Sequence, residues 1–323
     1  MAMNSDQVVE VLRAAGEPTR LRILALLASE ELAVMELSRI LDQSQPRVSR
    51  HLKLLSEAGL IERFPDGAWV FYRLSAHGGA RPLLDGALDL IDPADPVTQR
   101  DAERLEAVRA ERSAEAAAYF AQNAARWDEI RSLYVSEADV EAAILAAAGA
   151  GPFERLVDLG TGTGRMLTLL APRARSVLGL DMSQQMLNIA RRHASEEGLE
   201  GAELRHGDIF ATRLPDGAAD LVVVHQVLHY LSDPAAAVAE AARLVAPGGR
   251  LLIVDFAPHG LEFLREAHQH RRLGFSDDEI GRWFAVAGLE APASAALPPT
   301  DAQGLTVKVW SAARQGEKQR TAA

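Results

Sequence analysis

At 323 residues the chain is about twice the ~150 residues of a common single domain, so two folded units are expected. A composition of 48% hydrophobic and 24% charged residues suits a buried core and excludes collagen-like or wholly disordered chains. The absence of Cys removes disulfides, thiolate metal sites and cysteine nucleophiles, and a net charge of -11 argues against wholesale coating by nucleic acid, although an average over two units can hide a small basic face.

The N-terminus lacks the charged and apolar regions of a signal peptide, and no run approaches the ~20 apolar residues of a bilayer span, so a cytoplasmic protein without membrane association is expected. Val8, Leu12, Leu21, Leu24 and Leu27 fall at helical spacing over residues 8 to 27, and residues 32 to 41 repeat the pattern in a second short helix. Pro46, suited to a first helical turn, opens a third helix that runs to about Ala58 and stops at Gly59. Residues 60–64 and 69–74 read as strands of a hairpin around Pro65 to Ala68. Helix, helix, helix, hairpin is the order of a mainly α winged helix-turn-helix. A further helical segment, Leu83 to Ile91, is closed by Pro93 and Pro96, which places the end of this first domain, residues 1–95, near residue 95.

Residues 96–150 read as a helical connector or part of the second domain, with a long Ala-rich, charged helix over about 100 to 131. From residue 151 to 312 strand-like runs at 156–159, 176–180, 202–206, 220–224, 250–256 and 304–310 alternate with helical ones, the pattern of an α/β, Rossmann-like unit with a mostly parallel sheet. Residues 313–323 are polar and read as a flexible tail.

Two stretches carry chemistry. In the third helix Arg47, Arg50, His51 and Lys53 line one side while Val48, Leu52 and Leu55 line the other, and residues 44 to 54 hold three positive residues and no acid. Such a face suits a major groove, with Ser44, Gln45 and Ser49 able to reach a base or phosphate and Arg63 and Arg73 of the wing able to touch phosphate. His51 is open to a packing, phosphate or base-reading role. The run Pro18 to Leu24 and the run Gln45 to Leu60 resemble the ArsR family of winged-helix repressors over about residues 5 to 75. That resemblance implies a homodimer that binds double-stranded operator DNA through the helix bearing Ser49, Arg50 and His51. Many such repressors sense metals through cysteines that this chain lacks, and no metal site is expected here.

The second stretch, Leu156 to Gly164, puts an apolar strand before the turn Gly160, Thr161, Gly162, Thr163, Gly164. Asp181 ends the next strand 21 residues after Gly160, and Asp208 follows a third strand; acids at successive strand ends mark the ligand-binding edge of such a sheet. The third Gly comes too early for a dinucleotide signature, and no Gly-Lys-Ser/Thr ends the loop as a phosphate-binding loop requires. With the runs Ala219 to Leu231 and Leu244 to Ile253, the segment resembles class I S-adenosylmethionine-dependent methyltransferases of the ubiquinone/menaquinone-methyltransferase group over about residues 118 to 256. The resemblance implies S-adenosyl-L-methionine as cofactor and S-adenosyl-L-homocysteine as product. Asp158 with Gly160, Thr161, Gly162 and Gly164 would position the cofactor's amino acid part, Asp181 its ribose, and Met182, Asp208 and Ile209 its adenine. His225 and Gln226 would flank the methyl group, while Tyr119 and Arg131, with Phe120 and Trp127, would belong to a lid. Met182 is open to a core role, Asp158 to fixing the loop, and Trp127 to plain helix packing. His225 and His229 are candidate bases, each equally able to line the pocket passively. DNA as methyl acceptor is disfavoured, because His225 to Leu228 stand where an Asn/Asp-Pro-Pro-aromatic run is required.

Together these features imply a DNA-binding transcriptional regulator whose S-adenosylmethionine-binding domain methylates a small molecule. Two alternatives stand: a repressor that responds to the cofactor or its product without methyl transfer, with that ligand as effector, and a metabolic methyltransferase whose winged helix only dimerises.

Overall fold

The computed structural model describes residues 3–66, 68–75, 79–127, 137–199, 201–299 and 304–316, and the chain forms two compact units, Met1–Ala114 and Glu115–Ala323.

The first unit opens with α1 (Ser5–Ala15) and α2 (Pro18–Ser29). The single helix expected over residues 8 to 27 is therefore two. Gly16 ends α1 by donating its N–H to the Leu12 carbonyl, and the Glu17 carboxylate then accepts the Arg20 N–H at 2.9 Å, starting α2 with Pro18 in its first turn. A two-residue strand, β1 (Leu32–Ala33), leads into α3 (Val34–Leu41) and, after a turn with Asp42 at φ 56°, into α4 (Gln45–Glu57). Strands β2 (Ile61–Asp66) and β3 (Trp69–Leu74) form the expected hairpin, and β1 pairs with β3 to give a three-stranded sheet of order β1-β3-β2. Ile23, Leu24, Leu37, Ile40, Val48, Leu52 and Leu55 are wholly buried and join these elements.

After α5 (Arg81–Leu88) comes α6 (Pro96–Asn123). The division near residue 95 expected from the prolines falls instead after residue 114, because the first part of α6 packs within this unit. Leu105 and Val108 are buried there, Asp101 pairs with Arg22 at 2.6 Å, and Arg109 and Arg112 both reach the buried Glu30 carboxylate, at 2.6 and 3.2 Å.

In the second unit, α7 (Glu137–Ala148) precedes β4 (Phe153–Leu159), α8 (Arg165–Leu170), β5 (Ala174–Asp181), α9 (Gln184–Glu196), β6 (Glu203–His206), β7 (Ala219–His225), α10 (Pro234–Leu244) and β8 (Val245–Phe256). Then follow α11 (Phe263–His268), α12 (Asp277–Val286), β9 (Ala293–Leu297) and β10 (Val307–Ala313). The seven strands run β6-β5-β4-β7-β8-β10-β9, parallel through β8, with β10 antiparallel to both neighbours. β9 was not expected: Ala293 to Ala296 are exposed, so the segment has no alternation of apolar and polar side chains to reveal it. The expected tail begins too early, since Ala313 lies in β10 and the Arg314 N–H reaches the Gly249 carbonyl at 2.9 Å; residues 317–323 lie outside the described residues.

Central strands buried on both faces explain the continuous Val and Leu runs. Val222, Val224 and Ile253 pack with Ala237, Val238 and Phe284 on one face, while Leu221, Val223 and Leu252 pack with Ile144 and Leu167 on the other. The chain leaves β4 for β5 and β6 on one side and returns to β7 on the other, so the order reverses beside β4. Ligands of open α/β sheets bind outside the carboxyl ends of the strands at such a reversal.

Candidate functional site

The exposed side of α4 carries Gln45, Arg47, Ser49, Arg50 and Lys53, with Ser44 just before it, while Val48, Leu52 and Leu55 are buried. Helical spacing thus separates the basic side chains from the core. Arg63 is exposed on β2. Two expected DNA contacts are placed otherwise. The Arg73 guanidinium lies between Glu31, at 3.3 Å, and Glu62, at 2.9 Å. His51 is half-buried with Nδ1 3.4 Å from the Glu17 carboxylate, an internal contact between α4 and the start of α2.

In the second unit the loop after β4 gathers at the order reversal. Gly160, Gly162 and Gly164 have φ of 74°, 54° and 87°, left-handed conformations that explain glycine at every second position. The N–H groups of Gly160 and Thr161 donate to the Leu180 carbonyl at 2.8 and 3.0 Å, and the Thr161 hydroxyl donates to the buried Asp158 carboxylate at 2.6 Å. Asp158 is thus tied to the loop through a side-chain hydroxyl. Asp181, ending β5, accepts the Gly162 N–H at 2.8 Å on one oxygen and the Ser183 N–H at 2.7 Å on the other. Burial raises its pKa, opposed by those N–H donors and by His206. Each carboxylate oxygen has two lone pairs, more than the Gly162, Ser183 and Met182 N–H groups take up, which leaves acceptor capacity for a sugar hydroxyl.

The neighbouring edge residues differ in what they offer. Met182 is 54% exposed, which removes the core reading. Asp208 is half-buried and accepts the Phe210 N–H at 2.9 Å, but Ile209 is buried among Leu180, Leu214 and Leu228, so only its main chain remains for a ligand. Phe210, 37% exposed at that edge, was missed by sequence reasoning because the motif ends one residue earlier. His225 ends β7, and Gln226 follows at φ 52° with its N–H on the Val254 carbonyl at 2.7 Å.

Trp127 lies against the loop: a Cβ added to Gly162 would sit 3.7 Å from its indole nitrogen. The indole also packs edge-on to Phe120 and near Tyr230, with ring centres 5.2 and 6.2 Å away. Tyr119 and Nδ1 of His268 share a hydrogen bond of 2.8 Å. Arg131 lies outside the described residues. His229 is buried, with Nδ1 2.8 Å from the buried Asp255 carboxylate, and its ring faces those of Tyr230 and His270. Sequence reasoning missed Asp255, which lies in a strand of buried apolar residues and belongs to no glycine or acid motif. Burial, together with His229, His259, His268 and Arg265 nearby, holds the His270 pKa far below the ordinary histidine value, and burial lowers that of His268. Among the described residues no group of three or more His, Asp or Glu could hold a metal ion, and no helix is long and apolar enough to cross a membrane.

Comparison with known proteins follows the same division. Residues 17–63 match the bacterial regulatory protein arsR family, and residues 157–253 match the methyltransferase domain family. The chain is 43% identical over 114 residues to an uncharacterized 37.1 kDa protein in transposon TN4556 of Streptomyces fradiae, covering 34% of this chain and 32% of that one. It is 37% identical over 144 residues to the demethylmenaquinone methyltransferase of Thermus thermophilus, covering 43% and 64%. It is 31% identical over 153 residues to the ubiquinone biosynthesis O-methyltransferase of Pseudomonas aeruginosa, covering 42% and 65%. These matches span from 32% to 65% of the relatives' own length. A chain in the complex between the Haloferax volcanii Trm112 methyltransferase activator and a methyltransferase shares the fold, with a TM-score of 0.51, 21% identity and coverage of 61% of this chain and 97% of that one. One chain thus carries a match to the arsR family over residues 17–63 and a match to the methyltransferase domain over residues 157–253.

Proposed function

We propose that this fusion is an operator-binding regulator whose second unit holds S-adenosylmethionine and transfers its methyl group to a small molecule. The observation that carries the reading is the pairing, in one chain, of an exposed basic α4 with a left-handed glycine loop and strand-end acids gathered at the order reversal of a parallel sheet. In this reading Arg47, Ser49, Arg50 and Lys53 meet operator DNA, with Ser44, Gln45 and Arg63 at its phosphates, and a homodimer supplies two such helices for two half-sites.

In the cleft, Asp181 receives the ribose hydroxyls, Met182, Asp208 and the main chain at Ile209 bound the adenine, and the loop from Gly160 to Gly164 approaches the amino acid part. Trp127 and Tyr119 cover the loop and exclude water. Bound there, the sulfonium supplies an activated methyl group, and the residues around it contribute alignment. His225 and Gln226 border the reacting end.

A second reading, regulation by the cofactor or its product, draws on α6, which gives Asp101, Arg109 and Arg112 to the first unit and Tyr119 and Phe120 to the second. Occupancy can shift DNA affinity only as far as the two ligand forms bind two protein states differently. The test is titration of labelled operator DNA with no ligand, with S-adenosylmethionine and with S-adenosylhomocysteine, alongside transfer of labelled methyl to fractions of a small-molecule extract from the source cells. DNA binding with methyl transfer supports the first reading. Ligand-dependent binding without transfer supports the second, and no operator binding at any salt concentration overturns both.

A further inference from the structure

One buried polar pair in the second unit is not used in holding the cofactor. Asp255, wholly buried in β8, accepts the Phe256 N–H at 2.8 Å and lies 2.8 Å from Nδ1 of His229. The main-chain oxygen of His229 accepts the N–H groups of Arg271 and Arg272, at 2.8 and 3.0 Å. The turn is thus pinned by main-chain bonds and by Nδ1. Nε2 adds nothing to that tie: it is buried and has no hydrogen-bond partner among the described residues. Burying such a nitrogen unpaired is unfavourable, a penalty that a purely structural side chain would not need to bear. A carboxylate accepting from Nδ1–H places the proton there and leaves the Nε2 lone pair available.

The surroundings define what that lone pair can meet. The His229 ring lies 4.0 Å from Tyr230, 4.2 Å from His270 and 5.0 Å from Phe256, measured between ring centres. Tyr230 connects in turn to Phe120 at 4.8 Å and to Trp127, the residue against the glycine loop. This wall is aromatic, burial disfavours the charged forms of His268 and His270, and the buried Arg265 guanidinium beside His270 is paired with Glu262 at 3.3 Å.

We propose that His229, oriented by Asp255, is the general base of the methyl transfer, and that the acceptor is an uncharged ring compound bearing a hydroxyl group. The inference rests on the methyl-transfer reading above. As the acceptor oxygen bonds to the methyl carbon, the carbon–sulfur bond breaks with its electron pair going to sulfur, and the hydroxyl proton passes to Nε2 of His229. The resulting imidazolium faces the Asp255 carboxylate. Asp255 is a positioning residue, fixing the tautomer and stabilising that charge.

The test uses the full-length protein, labelled S-adenosylmethionine and the most active small-molecule extract fraction as acceptor. His229→Asn keeps an amide N–H where Nδ1–H stood and deletes Nε2. It is expected to retain thermal stability and S-adenosylhomocysteine affinity within threefold, while kcat falls by about 10²–10⁴-fold. Asp255→Asn is expected to lower kcat at unchanged KM. Nitrogen-15 NMR of the unaltered protein, which requires neither turnover nor a variant, should show His229 protonated at Nδ1 and bare at Nε2. Wild-type transfer with His229→Asn within threefold of it overturns the dyad and leaves methyl transfer standing, as does a proton found on Nε2. Absence of transfer by the wild type in every fraction overturns both.

Discussion

Gly160→Ala probes the cofactor loop through a single methyl group. Gly160 has φ 74°, and a Cβ there would lie 2.4 and 3.0 Å from the two Cγ methyls of Val227 and 3.3 Å from its Cβ. The left-handed backbone alone costs an alanine about 1–2 kcal/mol. Ordinary carbon contacts are ~3.5–4.0 Å, so Val227 must shift by about 1 Å. Rotating its χ1 gives little relief, because a β-branched side chain exchanges one methyl for another. Overpacking of this kind costs about 1–3 kcal/mol, for a total of about 2–5 kcal/mol. Val227→Ala removes both methyls, so in that background Gly160→Ala should cost only the backbone part, a coupling of about 1–3 kcal/mol. Urea unfolding of the four proteins in the cycle measures it, and calorimetric titration with S-adenosylhomocysteine should show affinity recovering in step. Equal cost of Gly160→Ala in both backgrounds would refute the reasoning.

Arg50→Ala should weaken operator binding by about 1–3 kcal/mol and, if the contact is to phosphate, lower the slope of log affinity against log salt by about 0.9, measured by titration at several salt concentrations. Arg73→Ala should leave that slope unchanged yet destabilise the first unit by about 1–3 kcal/mol in urea, because it removes the guanidinium that pairs with both Glu31 and Glu62. His270 stays neutral when folded but protonates below about pH 6.5 when unfolded, so the unfolded chain binds more protons and stability should fall by up to about 1.4 kcal/mol per pH unit below that point. His270→Phe should flatten this fall in urea unfolding between pH 7 and 5; an unchanged slope rejects the assignment. Trp127→Ala should weaken S-adenosylhomocysteine binding by about tenfold, the effect of ~1.4 kcal/mol of lost packing against the loop, as read by calorimetry.

What could be read from the residues was whatever local chemistry dictates. A Gly-Thr-Gly-Thr-Gly turn after an apolar strand has few folded solutions, and the left-handed φ values at Gly160, Gly162 and Gly164 are one of them. The basic side of α4 followed from helical spacing alone. Features set by partners distant in sequence were not legible. Nothing near Arg73 in the chain announces its ion pair with Glu31, 42 residues earlier, and the burial of the Ile209 side chain depends on Leu214 and Leu228. Asp255 shows the same limit from the other side: a lone acid in an apolar strand gains meaning only when His229, 26 residues away, turns out to face it.

The charge of the first unit illustrates how such partners change a sequence-level quantity into a physical one. Residues 1 to 114 hold fourteen Lys and Arg against eighteen Asp and Glu, a net of -4, which by itself disfavours binding to a polyanion. Several of those acids are neutralised internally: Asp101 by Arg22, Glu30 by Arg109 and Arg112, and Glu31 and Glu62 by Arg73. Together these four acids and four arginines sum to zero, so their combined field falls off faster than that of free charges, and salt screens what remains within ~8–10 Å. The exposed Arg47, Arg50 and Lys53 lie on one side of one helix, where their fields add. A phosphate at that face is governed by the near cluster rather than by the average, so the acidic total and the basic recognition surface are compatible properties of one domain.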